Sequence, residues 1–179
     1  SLATSEGMKT CDAMILGGTG PVGQRVSRLL ANEGVRVRLV SRSLKRASAC
    51  CQSILQKTPN AHLEATSEDM IDAVIGSADL IISAGKSGIR MLTATQLSQA
   101  TSTKVCIDLN AIPPAGIDGV HTTDHARYDG TKHFYGALGV GGMKMKLHKA
   151  AIQELFQKND RWLDAEELLV LSERLMLSD

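Results

Sequence analysis

A short apolar run, Ala13-Met14-Ile15-Leu16, passes straight into Gly17-Gly18-Thr19-Gly20-Pro21-Val22-Gly23, and a helical pattern begins at once. No other feature of the chain constrains its fold as strongly. A G-x-G-x-x-G alone is a weak signal, but Gly18, Gly20 and Gly23 stand between a strand-like run and a helix, and a second apolar run follows from Val35 to Val40. Strand, glycine turn, helix and strand make the first half of a Rossmann-type unit, which holds a dinucleotide at the strand-to-helix turn. In that reading Gly18 permits the tight turn, Gly20 lets the backbone approach a pyrophosphate and Gly23 lets the helix lie close to the sheet. Thr19, Pro21 and Val22 complete the loop. Pro21 costs nothing there, because the N–H it lacks has no partner in a first helical turn. The other N–H groups of that turn and the positive end of the helix dipole face the expected anion.

The end of the second strand bears on which dinucleotide is held. Roughly twenty residues past the glycines, an NAD site places Asp or Glu against the ribose hydroxyls. Here the strand ends in Ser41-Arg42, followed by Ser43, Lys45 and Arg46. No carboxylate repels a phosphate, while hydroxyls, a guanidinium and an ammonium are available to hold one. The expected cofactor is NADP, with Ser41, Arg42 and Lys45 at its 2′-phosphate.

Beyond this half, the pattern predicts a helix over Lys45 to Lys57, a strand at His62 to Ala65 and a helix opened by Ser67 and running to Val74. A strand at Asp79 to Ser83, a helix from Thr93 to Ala100 and a strand at Lys104 to Asp108 follow. Strands alternating with helices predict an α/β fold, a doubly wound parallel sheet. The ends of the fourth and fifth strands fall on the same edge as the glycine turn, so Ser83-Ala84-Gly85 and Asp108-Leu109-Asn110 are expected to border the cleft. Gly85-Lys86-Ser87 resembles the end of a phosphate-binding P-loop, but Leu80 stands where that motif needs glycine, and the reading is discarded. From Leu109 to Tyr135 runs a connection long enough to be functional. A short strand near Phe134 to Leu138 and helices from Gly142 to Lys158 and from Asp164 close the pattern. Asp164 and Glu167 are spaced as a capping box.

Composition narrows the partners. A formal net charge of +1 and 3% aromatic residues give neither the basic footprint nor the stacking rings of a nucleic-acid surface, so a small molecule is expected. Cys11, Cys50, Cys51 and Cys106 lack metal-type spacing and read as free thiols of a reducing, cytoplasmic compartment. No apolar run approaches the roughly 18 residues of a membrane span, so no membrane partner is expected. His121, His125 and His133 with Asp124 lie at loop spacings that support no metal site. Residues 1–10 read as a tail and 11–179 as one nucleotide-binding domain with C-terminal helices. Ser1 is not an initiator, so the chain is expected to begin inside a longer polypeptide or at a processing or cloning scar. A homo-oligomer is the general expectation for such enzymes.

The helix from Gly142 carries a further candidate. At 100° per residue, Met143, Met145, Leu147, Ala151, Ile152, Leu155 and Phe156 form a broad apolar arc. Lys144 and His148 fall on it. A lysine on a buried face is costly unless it is paired or borders a polar cleft, so Lys144 reads either as a substrate-contacting group or as a side chain reaching from the first turn to solvent. His148 reads as a core imidazole.

The run Asp108-Leu109-Asn110-Ala111-Ile112-Pro113-Pro114-Ala115-Gly116-Ile117, the segment Phe134-Tyr135-Gly136-Ala137-Leu138-Gly139-Val140-Gly141-Gly142, and Lys144-Met145-Lys146-Leu147-His148 together resemble the NADP-dependent methylenetetrahydromethanopterin dehydrogenases. The glycine turn and Asp164-Ala165-Glu166-Glu167 match that family too, so the resemblance covers nearly the whole chain from Ala13. It implies hydride transfer from the methylene bridge of a reduced pterin to C4 of the nicotinamide of NADP, giving a methenyl cation and NADPH. The pterin partner is methylenetetrahydromethanopterin, or alternatively methylenetetrahydrofolate. No side chain need take a proton in that step, so the residues it implies act by positioning: Asp108 and Asn110 beside the nicotinamide, Lys144 beside the pterin. The resemblance also implies a preceding domain of roughly a hundred residues, a common domain size, which has no counterpart here. Two readings stay open: a fragment of the enzyme, or a stand-alone NADP-binding or regulatory module. A dehydrogenase of the shikimate class is a third.

Overall fold

A computed structural model describes residues 10–157, 160 and 162–176; the expected tail up to residue 9 and the expected helix end at Lys158 lie outside the described residues. The chain divides into two compact units, Ser1–Gly139 and Val140–Asp179.

In the first unit the elements run β1 (Asp12–Leu16), α1 (Pro21–Asn32), β2 (Arg36–Ser41), α2 (Leu44–Leu55), β3 (Leu63–Ser67), α3 (Ile71–Val74), β4 (Leu80–Ser83), α4 (Ala94–Gln99), β5 (Val105–Asp108), β6 (Arg127–Tyr128) and β7 (His133–Gly136). They form one seven-stranded sheet in the order β3-β2-β1-β4-β5-β7-β6. Every pairing is parallel except the last, β6 with β7. This is the expected doubly wound α/β sheet, with its order reversing beside β1.

The pleat explains why the central strands are continuously apolar. Met14 and Leu16 pack with Val40, Ile81 and Cys106 in one cluster, while Ala13 and Ile15 pack with Val37 and Ile82 in another. A strand buried on both faces needs no polar alternation.

Three local expectations shift. Ser67 does not open a helix: it pairs with Ser41 as the last residue of β3, makes no capping bond, and a 3-10 turn, Glu68–Met70, precedes the short α3. The ladder to β2 holds Ser67 in extended backbone and delays the helix. The last long strand is β7, ending at Gly136, because Leu138 turns to donate its N–H to Thr122 O at 2.8 Å. The long connection also carries a strand of its own, β6, which covers the edge of β7. Thr93 does cap α4: its hydroxyl accepts from Gln96 N at 3.2 Å, and its own N–H donates to Gln96 Oε1 at 3.1 Å.

The second unit contains α5 (Gly141–Gln157) and α6 (Ala165–Met176). At the start of α6 the Asp164 N–H donates to Glu167 Oε2 at 2.9 Å, one half of the expected capping box. The apolar arc predicted for α5 is mostly not buried. Ala151 is buried, but Met143, Met145, Ile152, Leu155 and Phe156 are exposed. An arc this broad needs partners on more than one side. Among the described residues no helix is long and apolar enough to cross a membrane.

Candidate functional site

The glycine turn is built by close packing. Gly17 has φ +71°, and a Cβ there would lie 2.5 Å from Gly85 Cα, so neither the conformation nor the space suits a side chain. The left-handed residue of the turn is therefore Gly17, one before the Gly18 expected for it. Gly18 lies over the Leu39 side chain and donates its N–H to Val40 O at 2.9 Å. A Cβ on Gly23 would come within 2.7 Å of Gly17 O, which bears out the expected tight seat of α1. At Gly20 the nearest atom a Cβ would meet is 3.4 Å away, so the room lies where a ligand would approach. Gly20 caps α1 without a side chain, and Pro21 follows. The first N–H groups of the helix are left to an incoming acceptor.

The end of β2 joins this turn. Thr19 Oγ1 and Ser41 Oγ lie 3.3 Å apart, and Ser41 is buried. Ser43 caps α2 by accepting the Arg46 N–H. Arg42 and Arg46 are exposed and line the cleft, and among the described residues neither forms an ion pair. Lys45 is exposed but does not line it. Arg42 precedes the Ser43 cap and Arg46 lies in the first turn of α2, and both line the cleft.

On the other side of β1, the Ala84 N–H donates to Leu16 O at 2.9 Å, bringing Ala84 and Gly85 against the glycine turn. The cleft between these walls measures about 640 Å³ and is lined by Thr19, Gly20, Arg42, Arg46, Glu68, Lys86 and Arg90 among others. Small-molecule and cofactor sites commonly span about 300–1,000 Å³. Ile71, Ile89 and Met91 supply apolar wall, and Glu68 is the carboxylate among the lining residues. Val22 is exposed on the first turn of α1 and does not line the cleft.

The end of β5 is built differently. Asp108 is buried and accepts the N–H groups of Asn110 at 3.0 Å, Gly116 at 2.6 Å and Ile117 at 3.2 Å. Asn110 is buried too, donating from Nδ2 to Pro114 O at 3.0 Å and accepting the Ile112 N–H at 3.0 Å. Ser83 is buried beside Gly116, its hydroxyl without a hydrogen-bond partner. None of Ser83, Asp108 and Asn110 lines the cleft. Lys144 and His148 are exposed residues of α5 in the second unit.

Further along the connection, Arg127 donates to both carboxylate oxygens of Asp124, at 2.7 and 2.8 Å, and lies 4.5 Å from the centre of the Phe134 ring. The Arg127 guanidinium holds the Asp124 carboxyl below the usual carboxylate range against the opposing effect of burial. Burial pushes the thiols of Cys11 and Cys51 up to about 11 and that of Cys106 up to about 12. They stay protonated near neutrality, so none is an activated nucleophile.

Comparison with known proteins places this architecture. The family model for shikimate / quinate 5-dehydrogenase matches residues 1–128. The bifunctional protein MdtA of Methylorubrum extorquens is 37% identical over 175 residues, which is 97% of this chain and 61% of the relative. The NAD(P)-dependent methylenetetrahydromethanopterin dehydrogenase of the same organism is 38% identical over 104 residues, 57% of this chain and 33% of the relative. This chain thus spans less than two thirds of the length of either curated relative. Among solved structures, a transhydrogenase from Sinorhizobium meliloti superposes with a TM-score of 0.58 at 18% identity, covering 74% of this chain and 38% of that one, a likeness of fold. The chain belongs to the shikimate / quinate 5-dehydrogenase family, and the resemblance to the methylenetetrahydromethanopterin dehydrogenases read from its motifs is supported by its relatives.

Proposed function

We propose that this chain is the NADP-binding part of an oxidoreductase that oxidises a methylene-tetrahydropterin. The observation that carries the cofactor is the cleft itself, with a glycine turn at the N-terminus of α1 and two guanidinium groups, Arg42 and Arg46, at the end of β2 that have no carboxylate partner among the described residues. Both cations are exposed and available to an anion, and a 2′-phosphate is the anion that such a site holds where an NAD site would place a carboxylate. Thr19 and Ser41 offer hydroxyls at the same corner. NADP, when bound, supplies the acceptor for a hydride leaving the methylene carbon of the pterin. The chain's own task is to hold the ligand in one orientation, through the N–H groups of α1 and the cations beside them.

The substrate class is supported by the curated relatives and by the Asp108–Ile117 and Lys144–His148 segments. Asp108 and Asn110 set the course of the loop beyond β5, so on this reading they position the substrate side of the site through that loop. Lys144 enters this reading through the sequence resemblance alone. The test is oxidation of methylenetetrahydromethanopterin, followed as NADPH absorbance and repeated with methylenetetrahydrofolate. NADPH formation with the first and little with the second is expected. Tight NADP binding without turnover on either pterin would instead favour a binding module without chemistry.

A further inference from the structure

We propose that Lys86 is a contact for the diphosphate of the bound dinucleotide, acting from the β4 side of the cleft and independently of the residues that read the 2′-phosphate. The inference rests on the NADP reading above. In the sheet, β2 and β4 flank β1 on opposite sides, so the ends of β2 and β4 stand on either side of the glycine turn that follows β1. Neighbouring strands are about 4.8 Å apart, which leaves a group centred over β1 within reach of both. The β2 side holds Arg42 and Arg46. The β4 side packs against the turn at Gly85, whose Cα lies 2.5 Å from where a Gly17 side chain would begin. Lys86 is the next residue, is exposed and lines the same cleft as Gly17, Thr19 and Gly20.

Comparison with Arg90 singles out this lysine. Arg90, the other cation on that wall, is held at 2.8 Å by Asp118, which also accepts the Ala94 N–H at 3.2 Å, so its charge is already answered. Lys86 has no ion pair or hydrogen bond from its side chain among the described residues. An ammonium on a flexible stem beside an anion-binding helix N-terminus adds a point charge and donors to what the backbone already provides. The diphosphate lies over the turn in this class of site, whereas the 2′-phosphate lies over the end of β2.

The two roles separate with fragments of the cofactor. ADP-ribose carries the diphosphate without the 2′-phosphate, and adenosine 2′-monophosphate carries the reverse. In calorimetric titrations of the full chain, Lys86→Met is expected to weaken ADP-ribose, NAD and NADP alike by about tenfold, as loss of one charge-assisted contact does. Its affinity for adenosine 2′-monophosphate should stay within about twofold, since that fragment makes no such contact. Arg42→Gln should show the opposite pattern. An unchanged ADP-ribose affinity in Lys86→Met, or an equal loss for both fragments, overturns the assignment while leaving the NADP reading intact. A wild-type chain that binds neither fragment overturns both.

Discussion

At the end of β2, Ser41, Arg42 and Arg46 line an open cleft, and neither guanidinium has a carboxylate partner among the described residues. At the end of β5, Asp108 and Asn110 are buried, and both carboxylate oxygens and the side-chain amide are taken up by residues 110–117 of the following loop. Both are polar ends of parallel strands on the same edge of one sheet. The difference is whether the next segment returns on itself. After β2 the chain enters α2 directly, capped by Ser43, and the arginines have nothing of their own to bind. After β5 a loop folds back over the strand end and consumes its polar groups. Polar residues at a strand end stay available to a ligand only where the local chain leaves them unsatisfied.

Removing groups at the two ends should therefore have opposite consequences. The largest effect on folding is expected from Asp108→Ala, which leaves the N–H groups of Asn110, Gly116 and Ile117 without an acceptor. With each buried unpaired donor costing about 1–3 kcal/mol, a loss of about 4 kcal/mol in chemical denaturation follows, and Asp108→Asn should lose roughly half of that. If Asp108→Ala keeps full stability and loses only cofactor binding, the contrast between the two ends fails.

A smaller effect belongs to the latch further along the same connection. Asp124 is held below the usual carboxylate range, chiefly by Arg127. A carboxylate with a lowered folded pKa contributes stability fully above its unfolded value of about 4 and loses it as pH falls through the folded one. Stability should therefore decline from about pH 4 downward, and Asp124→Asn should flatten that limb while costing about 1.5–3 kcal/mol at neutral pH, the worth of a hydrogen bond to a charged group. Urea midpoints measured across that range for both proteins check this, and parallel acid limbs would contradict it.

The legible parts of this molecule in its sequence were those that depend on near neighbours. The apolar runs placed the strands of the parallel sheet, and the spacing of Gly18, Gly20 and Gly23 placed the turn before α1. Ser41 and Arg42 are readable because their position follows from counting along one βαβ unit. Partners distant in the chain were not readable. That Gly17 takes the left-handed conformation depends on Gly85 packing against it from β4. That Asp108 faces its own loop depends on Gly116, where a side chain would collide with the Ser83 hydroxyl, so the loop can close only there. The α5 pattern misled for a related reason: an apolar arc states which face could be buried, and only tertiary partners decide whether it is.

The central claim, that the end of β2 is an unsatisfied phosphate site, is tested most directly by the NADP-to-NAD affinity ratio of the wild-type chain and of Arg42→Asp. Arg42 is exposed and has no partner among the described residues, so the substitution should leave stability within about 0.5 kcal/mol. The account predicts tighter binding of NADP than NAD by the wild type and the reverse order in the variant. Equal affinities of the wild-type chain for the two dinucleotides would contradict it.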